Sequence, residues 1–334
     1  MTSTTRPATL ATVAAAAGVS VATVSKVLND RGDVAPATRA MVRRLLAEHG
    51  YVPRQARARR GATVELQLEG ALCAYSAEIV MGAMQEAAAS GAALVVTSTD
   101  HMADGLSWAR GLVDAGRHAV ITLVAEPSPA QLDVLLRAGL PVIVIDPMNV
   151  PASPVTSVGP TNFAGGMSAT QHLLSLGHRR IAYLGGPAGA ASNQARMHGY
   201  RAAMEAAGVP VPPDYVRTAG FCYADGLREG AALLDLPEPP TAVFAASDES
   251  ALGAIQVARG RGLRIPEDLS VVGFDDTQIA AMHAPALTTV RQPLREMGAV
   301  ALRTALRLAA GERIDSRHLE LATELIVRDS SRAA

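Results

Sequence analysis

Two groups of side chains in this 334-residue sequence have types and spacing suited to chemistry. The first is acidic and aromatic. Asp146, Asp248 and Asp275 each follow an apolar run of β character, so each falls at a strand end. Strand ends of open α/β sheets are where ligands bind. A carboxylate accepts hydrogen bonds from two adjacent hydroxyls, and a guanidinium such as that of Arg196 donates to ring and hydroxyl oxygens. Tyr75 and Phe221 can stack on an apolar face. Such a set fits a neutral polyol, for example a sugar. An aspartate in this position can also simply cap the following helix, and Asp248 suits that role equally well.

The second group lies near the N-terminus, in the run from Thr9 to Asn29. An Ala-rich helix stops at Gly18, which suits a C-terminal cap, and Ser20 is a good N-cap for a second helix. Val24, Val27 and Leu28 then stand at i, i+3 and i+4 and face the first helix, leaving Val21, Ala22, Ser25, Lys26 and Asn29 on the opposite side. Two helices joined by a Gly-containing turn, the second exposing small polar and basic groups, have the geometry that enters a DNA major groove.

Three zones must position these groups. Residues 8–50 read as three short helices. Residues 51–61 are a basic connector that begins with Tyr51-Val-Pro53 and ends at Gly61. From Thr63 onward, short apolar strands alternate with amphipathic helices. The strands are predicted at Glu65–Leu68, Leu94–Thr97, Ala119–Val124, Val142–Ile145, Ile181–Leu184, Ala242–Ala245 and Leu269–Gly273, with a last strand over Leu319–Val327. This alternation implies doubly wound parallel sheets. A Pro-rich stretch (Pro147, Pro151, Pro154, Pro160) separates two such units, so a cleft is expected between two lobes.

Charge follows the same division. Residues 1–61 carry ten Lys/Arg and three Asp/Glu, whereas the remainder carries twenty and twenty-eight. A basic arm on an acidic body points to a polyanionic partner for the arm alone. Cys73 and Cys222 lie too far apart in sequence to suggest a disulfide framework or a metal motif, and they fit a reducing compartment. No apolar run reaches the length of a membrane span, and no secretory leader is visible, so a cytoplasmic, nucleoid-associated protein is expected. The Gly185-Gly-Pro-Ala-Gly189 loop is not a dinucleotide fingerprint, because Pro187 lacks the N–H that a phosphate requires. No catalytic, metal-binding or cofactor motif occurs, so no enzyme activity and no cofactor are expected.

The stretch from Ala17 to Asn29 resembles the headpiece of the lactose-repressor/galactose-repressor (LacI/GalR) family, whose hallmark reads Ala-Gly-Val-Ser-x-x-Thr-Val-Ser-x-Val-Leu-Asn. The run from Val34 to Pro53 matches the family's third helix, with Ala35 where a Ser cap is usual. Further matches are Gly177-His-Arg-Arg-Ile181, Arg196-Met-His-Gly-Tyr200, Ser247-Asp248 through Gly253 (Ser247 at an Asn position), Ile265 through Asp276, and Pro285 through Pro293, which includes Gln292.

The resemblance implies an all-α helix-turn-helix headpiece plus an α/β periplasmic-binding-protein-like domain of two doubly wound parallel-sheet lobes. The expected boundaries are 1–50 for the headpiece, 51–61 for the hinge, 62–161 with a return at about 291–312 for the first lobe, and 162–290 with a final strand at about 319–328 for the second. It implies a homodimeric repressor on double-stranded operator DNA, with Ser20, Val21, Ala22, Thr23, Ser25, Lys26 and Asn29 at the DNA and an effector held by Tyr75, Asp146, Arg196, Phe221, Ser247, Asp248, Asp275 and Gln292. Lys26, the only lysine beside 29 arginines, can donate to guanine O6 and N7. A regulator of non-sugar ligands such as nucleobases, or a sugar-binding protein that does not bind DNA, are the alternatives.

The connector departs from the family. Arg54 stands at its Asn position and Arg60 at the apolar position that wedges between base pairs, with Arg57 between them. Guanidiniums suit phosphates or a narrow minor groove rather than unstacking, so weaker DNA bending is expected.

Overall fold

A computed structural model of the chain describes residues 10–28, 34–48, 61–70, 72–99, 105–148 and 155–334. The chain divides into two units, residues 1–61 and 62–334. In the first, helices α1 (Leu10–Ala17), α2 (Val21–Leu28) and α3 (Pro36–Glu48) form where their local signals put them. Gly18 takes a φ of +63°, and the Val19 N–H reaches back to the Ala14 carbonyl at 3.1 Å, closing α1 as a glycine cap does. Ser20 Oγ accepts from the Thr23 N–H at 3.1 Å and opens α2. Val13, Ala14, Val24, Val27, Val42 and Leu46 meet in one small core. α3 starts at Pro36, whose fixed φ suits a first turn, and the residue before it, Ala35, has no side-chain acceptor to cap it.

The second unit holds two six-stranded sheets. The first contains β1 (Thr63–Glu69), β2 (Ala93–Thr99), β3 (Ala119–Leu123), β4 (Val142–Ile145), β5 (Thr156–Pro160) and β11 (His318–Leu321), in the order β11-β5-β4-β3-β1-β2, all parallel. The second contains β6 (Ile181–Gly185), β7 (Val216–Thr218), β8 (Ala242–Ala245), β9 (Ser270–Asp275), β10 (Thr288–Arg291) and β12 (Glu324–Ile326), in the order β12-β10-β9-β8-β6-β7. Only β12 runs antiparallel to its neighbour. β3, β4, β6, β8 and β9 are buried along their whole length, which is why they read as continuous apolar runs.

The helices that place the site are α4 (Ala74–Ser90), α5 (Ser107–Asp114), α6 (Pro129–Arg137), α7 (Asn162–Ser175), α8 (Ala191–Ala206), α9 (Tyr223–Leu234), α10 (Asp248–Gly260), α11 (Gln278–Met282) and α12 (Leu294–Ala309). α12 returns to the first sheet, where Met297, Ala301 and Leu302 join the core of Ile79, Ala83, Leu66 and Ile121. Among the described residues no helix is long and apolar enough to cross a membrane.

The seven internal strands expected from the sequence all form, but β5, β7 and β10 were not anticipated. They are three to five residues long and carry Gly, Pro or Thr in place of an apolar run. The last strand, expected as one element of the second lobe over 319–328, is two. β11 joins the first sheet and β12 the second, because the chain changes lobes between them. At that crossing the Thr323 N–H donates to Thr161 Oγ1 at 3.0 Å, so it is pinned to the crossing from β5 into α7.

Candidate functional site

The strand order 2-1-3-4-5 recurs in both sheets, and its switch point lies between β1 and β3 in one and between β6 and β8 in the other. The segments that leave these strands face each other and enclose a cavity of about 360 Å³. Tyr75, Val124 and Asp146 come from the first lobe; Arg196, Phe221, Ser247 and Asp275 come from the second.

Arg196 is the centre of the cleft and is buried. Its Nε donates to Asn162 Oδ1 at 2.8 Å and its Nη1 to the Ala246 carbonyl at 2.6 Å. Its guanidinium lies 3.9 Å from the Phe274 ring centroid and 5.5 Å from that of Phe221, within cation–π range. Nη2 stands 4.0 Å from Asp146 Oδ2 across the cleft, and the Tyr75 hydroxyl donates to that same oxygen at 3.0 Å.

Two close backbone approaches hold this arrangement. Any Cβ on Gly166 would collide with the Arg196 carbonyl, and one on Gly199 with the Phe163 carbonyl, so α7 and α8 pack backbone to backbone. Gly186 likewise leaves room for the Phe221 ring, and Asn193 Oδ1 fixes the loop by accepting from the Gly186 N–H at 2.9 Å.

Backbone strain gathers at the same place. Among the described residues, four non-glycine residues have positive φ: Val124 (66°), Asp146 (49°), Asp275 (124°) and Asp276 (57°). The first three line the cleft. A β-branched residue at such an angle costs on the order of 1–3 kcal/mol, which the surrounding packing must offset. The conformations aim the two aspartates inward.

Electrostatics add a second feature. Asp248 is fully buried, not on the cleft wall but behind it. Its carboxylate accepts from the Thr277 N–H (2.8 Å), the Thr277 hydroxyl (3.0 Å) and the Thr289 hydroxyl (2.6 Å). Burial still holds its pKa up at about 7, against an ordinary 3.8, because three hydrogen bonds do not replace full hydration. Asp275 is pushed well above the usual range, first by burial and then by the Asp248 charge, while Arg196 and a 2.6 Å hydrogen bond from Gln292 Nε2 pull the other way. Tyr75 is raised, first by burial and then by Asp146 and Asp275, so its hydroxyl stays a neutral donor.

A stability prediction follows from the sign of this shift. An acid whose folded pKa is raised favours the folded state while protonated, and that advantage is lost as pH climbs from about 3.8 to about 7. Asp248→Asn is therefore expected to gain on wild type in that window, by up to about 1.4 kcal/mol per pH unit. Urea unfolding of both proteins at several pH values checks this. Parallel stability–pH curves would show that Asp248 does not titrate there.

The sequence-derived set is thus only partly brought together. Tyr75, Asp146, Arg196, Phe221, Ser247 and Asp275 line the cleft. Ser247 does so with its hydroxyl committed: Oγ donates to the Phe221 carbonyl at 2.6 Å and accepts from the Ser250 N–H at 3.1 Å, capping α10. Asp248 and Gln292 stand behind the wall, supporting Asp275. Sequence reasoning missed Ser192, Glu249, Cys73 and Cys222, which also line the cavity. Ser192 sits one helical turn before Arg196, and that i, i+4 spacing was the available signal. The cysteines precede α4 and α9, positions that no motif marks.

In the first unit, α2 presents Val21 (47% exposed), Ala22 and Lys26 to solvent, with Thr23 and Ser25 half-buried. Ser20 and Thr23 spend their hydroxyls on each other at 2.9 Å. Asn29, Arg54, Arg57 and Arg60 lie outside the described residues. Lys26→Ala is expected to relax selectivity at one base pair per half-site, at a cost of roughly 1–3 kcal/mol there. Binding to a panel of operator variants at two salt concentrations tests this. A uniform loss on all sequences, with a smaller salt slope, would instead assign Lys26 to phosphate.

Residues 9–54 match the model described as "Bacterial regulatory proteins, lacI family", and residues 170–331 match that of the "Periplasmic binding protein-like domain". The chain is 37% identical to the HTH-type transcriptional regulator CelR of Thermobifida fusca, over 97% of this chain and 98% of that one. Among solved structures it resembles a transcriptional regulator CelR–cellobiose complex (TM-score 0.75, 36% identity, 97% of this chain and 100% of that one). It also resembles the lac repressor dimer bound to operator and the anti-inducer ONPF (TM-score 0.72, 27% identity, 98% and 100%).

Proposed function

This chain belongs to the lacI family of bacterial regulatory proteins, and we propose that it represses transcription as a cytoplasmic homodimer whose operator affinity is set by a sugar bound between its two α/β lobes. It acts by binding and not by catalysis. The observation that carries the sugar reading is the buried group of Asp146, Arg196 and Asp275 beside Phe221. It combines acceptors, a multivalent donor and an aromatic face around one small cavity, which is what a ring of adjacent hydroxyls requires. The relative whose complex contains cellobiose supports the same class. The sugar shifts the balance between operator-competent and operator-incompetent states.

The dimer reading rests on exposed apolar side chains. Met81 and Met84 on α4, Val96 on the edge strand β2, and Met282 at the end of α11 are all solvent-exposed, Met282 to 80%. A 3.2 Å hydrogen bond from Gln278 to Glu78 joins α11, which ends at Met282, to α4, which carries Met81 and Met84. A second copy is the natural cover for such a patch, since two-fold operator half-sites call for a two-fold protein.

The test is a thermal-shift screen of the full chain with mono- and disaccharides, cellobiose included, and with nucleosides. Each ligand that stabilises is then tested for its effect on operator binding by anisotropy, with sedimentation recording the assembly. A sugar is expected to raise the melting temperature and change operator affinity. Stabilisation by nucleosides alone would replace the sugar reading, and a monomer at all concentrations would remove the dimer.

A further inference from the structure

The cleft does not end at Asp146. A second cavity of about 640 Å³, larger than the first, shares Asp146 and Ser192 with it. Its walls are β5 and β11 on one side and the first turns of α7 and α8 on the other. We propose that this outer chamber is a second carbohydrate subsite with Phe163 as its stacking platform, so that the preferred effector is an oligosaccharide spanning both chambers. The proposal rests on the reading that the inner cleft holds a sugar.

Three observations carry it. Phe163 is 47% exposed within a concave wall, whereas Phe244 and Phe274 are fully buried and Phe221, the remaining phenylalanine, lines the inner cleft. A phenyl ring left in water at the floor of a cavity marks a surface built to be covered. Its backbone cannot shift away, because its carbonyl is packed against Gly199.

The chamber's chemistry is that of a neutral, hydroxyl-rich ligand. Pro147, Pro160 and Ala195 supply apolar surface beside the ring. Asn162, Glu320 and the Ser157–His318 pair, joined at 3.0 Å, supply polar atoms. Among the described residues no Lys or Arg lines the chamber, while Asp146 and Glu320 do, and this disfavours a phosphorylated or carboxylate ligand.

The junction is equipped for a chain that passes through. Ser192 lines both chambers and so stands at the passage between them. Tyr75 and Arg196 both approach Oδ2 of Asp146, so Oδ1 remains available to a ligand.

Calorimetry on the full chain tests this with glucose, cellobiose, cellotriose and cellotetraose, and with the matching malto- and xylo-oligosaccharides. In the series that binds, affinity is expected to rise about tenfold on passing from two units to three or four, as the added unit covers Phe163. Phe163→Ala is expected to remove that gain and Phe163→Trp to retain it. Because Phe163 is at the surface, neither variant threatens folding. Length-independent affinity in the wild type, or a Phe163→Ala effect equal at every length, would overturn the outer subsite while leaving the inner one intact. Absence of binding by every sugar would overturn both readings.

Discussion

Deletion of residues 1–61 is expected to abolish specific operator binding and to leave a folded body that still takes its ligand. The three helices have a core of their own, and none of its members comes from the body. The body keeps both six-stranded sheets and all of the cleft residues. Charge makes the loss severe. The deleted part carries ten basic against three acidic residues, and what remains has an excess of eight acidic ones, so even non-specific attraction to phosphate is lost. The expected drop is at least about a thousandfold on an operator selected with the full-length protein. Anisotropy with labelled operator measures it, and a thermal-shift experiment on the same truncated protein confirms that the cleft still binds. Specific binding by the body alone would reject the assignment of DNA recognition to α2.

Asp275→Asn and Arg196→Ala should each weaken the effector by roughly a hundredfold while leaving operator binding in place. Hydrogen bonds to charged groups contribute about 1.5–3 kcal/mol each, and either substitution removes or weakens at least one at the centre of the cleft. The two differ in their side effects. Arg196 sits among Asp146, Asp275, Phe221 and Phe274, so its removal leaves buried carboxyls without their cation. A structural cost of about 3–5 kcal/mol is expected on top of the lost contact. Asp275→Asn keeps the size and a partner for Gln292, and so reports binding more cleanly. Calorimetry with the stabilising sugar reads both, and urea unfolding separates the structural cost. If the ligand is an inducer, Asp275→Asn behaves as an uninducible repressor. Unchanged affinity in both variants would take these residues out of the site.

Much of the molecule was determined by short-range patterns that a single sequence displays. Gly18 and Ser20 act within five residues of themselves, so the helix-turn-helix was legible, down to which valines of α2 are buried. β3, β4, β6, β8 and β9 were legible because strands buried on both faces are apolar nearly throughout, and Asp146 and Asp275 were legible because they end such runs. The tertiary structure decided what depends on partners far along the chain. Whether Asp248 meets ligand or protein turns on Thr277 and Thr289, twenty-nine and forty-one residues away, whose donors allow its burial behind the wall. The division of the final strand depends on Thr161 meeting Thr323, a contact between two lobe crossings that no local periodicity encodes. Ser192 and the outer chamber around Phe163 acquire their meaning only when α7, α8, β5 and β11 close around a common space, and Glu249 only when the start of α10 meets the inner cavity. A residue's type and spacing reveal what it can do; burial, which sets both its charge and its partners, belongs to contacts between segments distant in sequence.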